Sequence, residues 1–331
     1  MKRKGRALPA SRHFELEQIG EGIYAALISD LPAHIAGNAN AGVVDLGDVT
    51  LVFDTFLTPA AAGDLCAAAE ALTGRLPDYV VNSHCHDDHI RGNQAFPDQA
   101  VVISTTATRE RIATEGAANL RHDADNAAAE LREFEARLAA ESDPARQEFD
   151  RLMAAQCRAI IDSLPALRLR LPDCAFDSVL EVHGSRRTAR MISLGGGHTA
   201  SDAFLVLPEE RVAFLGDLLF VGHHPYLCDG DPDALTDTLT AVRHLGVTTV
   251  VPGHGPVGTA ADLETLRQYV DDLQGVARAV AAAGGSADDA AARPAPAPYA
   301  DWRFDFFLPM NLRFLYERRE AARHEHPGRP E

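Results

Sequence analysis

Leu76-Pro77-Asp78-Tyr79-Val80-Val81-Asn82-Ser83-His84-Cys85-His86-Asp87-Asp88-His89 places a His-x-His-x-Asp-His pattern directly behind a short apolar run. Tyr79 to Asn82 reads as a buried strand, so the cluster falls on a strand-to-helix turn. Imidazole and carboxylate at this density are the donor set of a divalent transition metal. The two residues between the donors read differently. Asp87 either caps or solvates a helix start or moves a proton. Cys85 alternates with the donors and is expected to pack beneath them.

Three isolated candidates follow, each at the end of an apolar run and beside glycine: His198 in Leu194-Gly195-Gly196-Gly197-His198, Asp217 in Phe214-Leu215-Gly216-Asp217, and His254 in Val251-Pro252-Gly253-His254-Gly255. Glycine lets the backbone turn sharply and approach closely, so each loop can present one side chain to a shared point. Together with the first cluster these donors suffice for two metals. Isolated histidines such as His13, His34 and His183 are read as surface or satisfied core groups.

The order and spacing of these pieces resemble the metallo-β-lactamase-fold hydrolase superfamily over roughly residues 20 to 275. The resemblance implies an αββα four-layer sandwich and a dinuclear centre. His84, His86 and His198 would hold the first metal, Asp88, His89 and His254 the second, and Asp217 would bridge them. Asp54, closing Thr50-Leu51-Val52-Phe53-Asp54, matches the family's early aspartate, which orients a ligand histidine through its other ring nitrogen. A bridging aspartate is similar to the thioesterase, lactonase and phosphodiesterase branches, and Gly216-Asp217-Leu218-Leu219-Phe220 is similar to the loop of glyoxalase II-type thioesterases. The basic residues such enzymes use for a glutathione carboxylate have no match in the C-terminal part.

Around the motifs the chain alternates expected strands (23–28, 42–46, 50–54, 79–82, 100–104) with an alanine-rich helix at 59–72. Strands recur at 178–182, 188–192, 203–207 and 211–215 before a helix and strand lead to His254. This is an α/β order, and periodicity alone does not select the sandwich among α/β layouts. Residues 13–280 are assigned to the main domain. Within it, about 106–165 turns to alanine, glutamate and arginine, with Leu131, Phe134 and Leu138 on one helical face. Phe149, Leu152, Met153, Cys157, Ile160 and Ile161 lie on a second, and Asp143-Pro144 sits between as N-cap and first-turn proline. This helical insertion is either a cap at the metal mouth or a buttress or dimer contact. Residues 281–300 have linker composition. Residues 301–331 form a C-terminal extension whose Trp302, Phe304, Phe306, Phe307, Leu308, Leu312, Phe314 and Leu315 are expected to dock on the core or on a partner subunit.

Composition bounds the partners. The 331 residues carry a formal net charge of -17, which argues against nucleic acid, since phosphate backbones are bound through basic patches. Five cysteines without paired spacing argue against a disulfide framework and fit a reducing cytoplasm. No run reaches the ~18 apolar residues of a membrane span. Met1 to about Arg12 is expected to fray, and a homo-oligomer is left open.

The reaction expected from this set is hydrolysis by metal-activated hydroxide, with Asp88 and Asp217 positioning it. The substrate would be a small ester-like, thioester, lactone or amide-type molecule. Zn2+ is the first metal, with Mn2+ or Fe2+ using the same residue types. Past Asp217, Phe220, His223, His224 and Tyr226 fall on a loop. They either line the pocket, with His223 or Tyr226 bonding a carbonyl oxygen or leaving group, or face solvent and pack locally. The alternatives are a phosphodiesterase on the same site, a mononuclear iron oxygenase resembling persulfide dioxygenases, and a non-catalytic metal-stabilised binding protein.

Overall fold

The computed structural model describes residues 7–29 and 38–325. His34, the basic residues 1–6 and the last six residues of the C-terminal extension fall outside that range. Strands β1 (Glu15–Gly20), β2 (Ile23–Leu27), β3 (Ala41–Asp45) and β4 (Thr50–Phe53) form an antiparallel meander. Helix α1 (Pro59–Thr73) follows, and β5 (Tyr79–Val81), β6 (Val101–Thr105) and β7 (Cys174–Phe176) extend the sheet in parallel. The result is a seven-stranded sheet in sequence order. Between β5 and β6 lies the single-turn α2 (Asp87–Ile90). Between β6 and β7 come α3 (Thr106–Arg111), a π-turn at 112–116, α4 (Ala117–Ala140) and α5 (Pro144–Ser163).

A second, six-stranded sheet holds β8 (Val179–His183), β9 (Thr188–Ile192), β10 (Phe204–Leu207), β11 (Val212–Phe220), β12 (Thr249–His254) and β13 (Gly258–Thr259). Its outer face carries α6 (Pro232–His244), α7 (Ala260–Ala282), α8 (Ala287–Ala291) and α9 (Phe307–Glu325).

The layers follow from burial. Ile23, Val44, Leu51, Phe53, Val81 and Ile103 of the first sheet meet Met191, Leu205, Phe214 and Val251 of the second. The opposite face of the first sheet, through Val43, Val52, Val80 and Val102, packs on Ala61, Ala62 and Leu65 of α1. Leu218, Leu219 and Val250 pack on α6 and α7. Each such Val, Leu, Ile, Phe or Met side chain contributes about 1.5–3 kcal/mol by leaving water. This is the expected αββα sandwich. Local signals set the helix ends: Thr58 caps α1, with Pro59 in its first turn and Gly74 at φ 80 beyond its end, and Thr259 and Asp262 form a capping box on α7.

Several expectations shift. β1 and β7 were not anticipated: β1 is largely polar and partly exposed, and β7 is only three residues long. β11 does not stop at Leu215 but runs through Asp217 to Phe220, its register breaking around Gly216. Asp217 therefore sits inside a strand, and the loop after it begins at Val221. The N-terminus is ordered earlier than Arg12, because Ser11 Oγ donates to Asp64 Oδ2 at 2.8 Å and His13 Nδ1 lies 2.9 Å from the same oxygen. Residues 281–300, linker-like in composition, carry α8 and bury Ala290 and Tyr299 against the core. The C-terminal extension docks on this chain's own core: Leu308, Leu312 and Leu315 join the cluster formed by β11, α6 and α7. No helix among the described residues is long and apolar enough to cross a membrane.

Candidate metal centre

The first cluster lies just past β5, and its orientation is set from below by Asp54. Asp54 has a left-handed backbone (φ 59), a conformation that a short polar side chain tolerates better than a bulky one. Its Oδ1 accepts from Ser83 N at 2.8 Å, and its Oδ2 accepts from both Ser83 Oγ and His89 Nδ1, each at 2.8 Å. A carboxylate only accepts, so the Ser83 hydroxyl spends its proton on Asp54, and its lone pair takes the Nδ1–H of His84 at 2.9 Å. Both His84 and His89 therefore donate from Nδ1 and aim Nε2 inward. Those two Nε2 atoms are buried and have no hydrogen-bond partner among the described residues.

His86 is arranged the other way round. Its Nε2 lies 2.9 Å from Asp229 Oδ2, and Asp229 is gripped by Arg111 Nη2 at 2.8 and 3.1 Å. That partner claims the Nε2 proton and leaves Nδ1 bare, 3.0 Å from His198 Nε2. Burial works against the Asp229 carboxylate, but His86 and Arg111 hold its pKa at about 2.

Asp217 joins the two halves. Its Oδ2 lies 3.2 Å from His198 Nε2 and 3.4 Å from His254 Nε2, and its Oδ1 lies 3.1 Å from His89 Nε2. Asp88 Oδ2 lies 3.6 Å from His254 Nε2 and 3.8 Å from His89 Nε2, and Asn38 Nδ2 donates to it at 3.2 Å. The donors fall into two groups, His84–His86–His198–Asp217 and Asp88–His89–His254.

Nitrogen and carboxylate acceptors crowded at such distances repel unless a proton or a metal cation lies between them. Two metal–nitrogen bonds of about 2.0–2.1 Å at a tetrahedral angle separate their nitrogens by about 3.4 Å, near the spacings seen here. Burial drives His84 well below its ordinary pKa and His198 to about 3, so neither readily takes a proton instead. Burial also opposes charge on His89, but Asp217, Asp54 and Asp88 outweigh it and raise its pKa well above the ordinary value. Asp217 shows the converse: burial favours its neutral form, and His254, His89 and His198 hold it well below the carboxylate range. The cluster attracts cations, and its donors fit them.

Two glycines make the approach physically feasible. A Cβ on Gly253 would fall 1.9 Å from Asp217 Oδ1, and Gly216, at φ 52, would put one 2.6 Å from Ser83 Oγ. Asn40 Nδ2 donates to Pro252 O at 2.9 Å and Gly255 O at 2.8 Å, which fixes the turn around His254.

All seven expected donors, with Asp54 behind them, thus come together. Asp87 pairs with Arg91 and accepts from Asn119, tying α2 to α4, and Cys85 is buried. Of the residues after Asp217, Phe220, His223 and Tyr226 line the cavity above the donors. His224 does neither of the things expected of it, for it is buried with Nδ1 2.8 Å from Tyr269 Oη and its ring near Trp302. His223 Nδ1 donates to Val221 O at 2.7 Å, and burial lowers its pKa, so its free nitrogen is an acceptor. Burial keeps the Tyr226 phenol protonated and therefore a donor. Sequence reasoning missed Ser83, Asp229, Arg111, Asn38 and Asn40. Only Ser83, adjacent to His84, carried a positional signal.

The cavity measures about 550 Å³. Phe149, Leu152, Met153 and Gln156 of α5 form one wall, and Arg303, Phe304, Phe306 and Phe307 form another. The helical insertion and C-terminal segment meet there, Phe149 and Phe306 with ring centroids 4.7 Å apart.

Solved structures share this architecture. A metallo-β-lactamase from Pontibacter korlensis superposes with a TM-score of 0.55 at 16% identity, covering 78% of this chain and 99% of its own. The mono-zinc form of the metallo-β-lactamase FIM-1 from Pseudomonas aeruginosa gives 0.54 at 15%, covering 80% and 98%. A metallo-β-lactamase from Erythrobacter litoralis, with β-mercaptoethanol in its active site, gives 0.55 at 17%, covering 78% and 97%. At these identities the likeness shows the fold. Curated proteins yield no match. The family model described as the metallo-beta-lactamase superfamily matches residues 34–254, roughly two thirds of the chain, and the chain belongs to that superfamily.

Proposed function

We propose that the protein is a metal-dependent hydrolase with a two-cation centre, cleaving an ester, thioester, lactone or amide bond of a small molecule. The superfamily consists mostly of metal-dependent hydrolases. The observation that carries the reading is Asp217, one carboxylate within 3.1–3.4 Å of donors from both groups. His84, His86, His198 and Asp217 are the proposed ligands of one cation, and Asp88, His89, His254 and Asp217 those of the other. Zn2+ is the metal to test first, with Mn2+ and Fe2+ as alternatives for the same donors.

Bound cations supply acidified water and a Lewis acid for the carbonyl. The chain's own residues do the rest. Asp54, Ser83 and Asp229 lock the imidazole tautomers, so no reorganisation is needed when charge develops. Tyr226, a protonated donor in the cavity wall, is placed to bond the carbonyl oxygen or leaving group, and His223 offers an acceptor nitrogen on the same wall. In the reaction the water oxygen joins the carbonyl carbon, the C–O, C–S or C–N bond breaks, and the proton goes to the leaving group. Phe149, Leu152, Met153, Phe304, Phe306 and Phe307 make the cavity above the donors largely apolar, which favours a carboxylic acid derivative with an apolar part over a phosphodiester. Free cysteines throughout support a cytoplasmic setting.

Elemental analysis paired with a panel of thioesters, lactones, a chromogenic cephalosporin and bis(p-nitrophenyl) phosphate, before and after chelation, tests this. Two metals per chain with chelator-sensitive cleavage of a carboxylic acid derivative is the expected result. One iron per chain, oxygen consumption and no hydrolysis would replace the hydrolase with an oxygenase. Cleavage of the phosphodiester alone would move the substrate class. Bound metal with neither hydrolysis nor oxygen consumption would leave a binding protein.

A further inference from the structure

The cavity wall is more apolar than the donor cluster requires. Imidazole orientation comes from Asp54, Ser83 and Asp229 beneath, yet α5 and the C-terminal segment place Phe149, Leu152, Met153, Phe304, Phe306 and Phe307 above. Their positions are set deliberately by the backbone. His224 N donates to Arg303 O at 2.8 Å and Arg303 N to Gly222 O at 3.0 Å, clamping the segment to the loop after β11. The next residue, Phe304, has φ 58, a backbone that a bulky side chain adopts only when its surroundings impose it. Its ring stands 4.7 Å from that of His223 and 5.7 Å from that of His254. Apolar surface concentrated in a concave mouth marks a ligand site.

We propose that this wall is a slot for a flexible aliphatic acyl chain, which makes the substrate a medium-chain acyl ester or thioester. The inference rests on the hydrolase reading and narrows it. Three features choose the chain over a flat or highly charged group. The rings do not form a parallel-faced slit: Phe149 and Phe306 are inclined at 51°, Phe306 and Phe307 at 56°, and Phe304 and Phe306 at 42°. Such a surface offers edges and faces in alternation, which methylenes follow and a planar ring does not. Met153 and Met310, unbranched and adaptable, complete it. Beyond the residues assigned to the cations, Arg303 is the one cationic side chain in the lining among the described residues, a poor match for a polyanion that extends past the metals.

The test uses full-length, zinc-loaded protein and two readouts. For p-nitrophenyl acetate, butyrate, hexanoate and octanoate, kcat/KM should rise about fourfold per methylene until the slot is full. Calorimetric titration with butyrate, hexanoate, octanoate and decanoate should show affinity climbing at a similar rate. Leu152→Gln on α5 and Phe306→Ala on the C-terminal segment should each flatten both gradients. Flat or falling gradients in the wild type overturn the slot, as do gradients unchanged in both variants. The two readings can fail separately. Cleavage of the acetate ester with flat series removes the slot and keeps the hydrolase. Chain-length-dependent carboxylate binding without cleavage of any of these esters or of any thioester, lactone or cephalosporin of the panel keeps the slot and removes the hydrolase.

Discussion

Asp54→Asn isolates the contribution of one carboxylate without changing its shape. Asparagine adopts a left-handed backbone as readily as aspartate, so φ 59 is preserved. If the amide oxygen keeps Ser83 N, its NH2 group replaces Oδ2 and faces two atoms that were donating to it, Ser83 Oγ and His89 Nδ1. His89 must then carry its proton on Nε2, the atom 3.1 Å from Asp217 Oδ1. Ser83, no longer donating to a carboxylate, turns its hydroxyl toward His84 Nδ1 and moves that ring's proton to Nε2 as well. One substitution thereby blocks a donor nitrogen in each of the two groups. Hydrogen bonds to charged groups are worth about 1.5–3 kcal/mol, and losing an orienting partner costs about 10–100-fold in metal affinity, or about 1.4–2.7 kcal/mol. The two estimates agree. Competition with a chromophoric chelator measures the affinity, and circular dichroism checks that the fold persists. The tautomer argument is refuted if the folded variant binds two zinc ions as tightly as the wild type.

Three further outcomes are expected. Leu312, fully buried in the core cluster of α7 and β11, should cost about 2–5 kcal/mol when cut to alanine. Urea unfolding reads this, and a loss below about 1 kcal/mol would mean that α9 is an appendage. Burial lowers the pKa of His224 from 6.5 to about 4, Asp305 opposing and His223 reinforcing the shift. The unfolded chain thus takes up this proton first, so the contribution is complete above about pH 6.5 and lost as pH falls toward 4, at most about 3 kcal/mol. His224→Phe should be less sensitive to pH than the wild type across that window in denaturant titrations, and equal slopes would count against it. Tyr226→Phe should lower kcat on a confirmed substrate about 10- to 1,000-fold with little change in KM, and unchanged constants would take the phenol out of the mechanism.

The donors themselves were legible because metal chemistry admits few residue types and imposes close spacing. His84, His86, Asp88 and His89 fall within one turn, and His198, Asp217 and His254 each announce themselves by glycine after an apolar run. Apolar runs of four or five residues likewise marked β3, β4 and β10. β1 escaped because a half-exposed edge strand, Glu-Leu-Glu-Gln-Ile-Gly, lacks that signal. The length of β11 escaped because Gly216 and Asp217 look like a strand end, whereas pairing with β12 carries the strand on to Phe220.

What sequence alone determined was the set of candidate donors, their order and the mixed α/β class, since these depend on residue type and local period, while the layered sandwich followed from the family resemblance. Tertiary structure decided what those donors can do. Asp229 meets His86 across 143 positions and Asn40 holds Gly255 across 215. A hydrogen bond needs only one atom at the right point in space, so such partners leave no local trace. The same holds for the cavity: Phe149 and Phe306 are ordinary apolar residues in sequence and become a shared wall only when α5 and the C-terminal segment pack at the mouth of the site. Side-chain chemistry is written residue by residue, while tautomer, pocket shape and the reach of each group arise from packing between segments far apart in the chain.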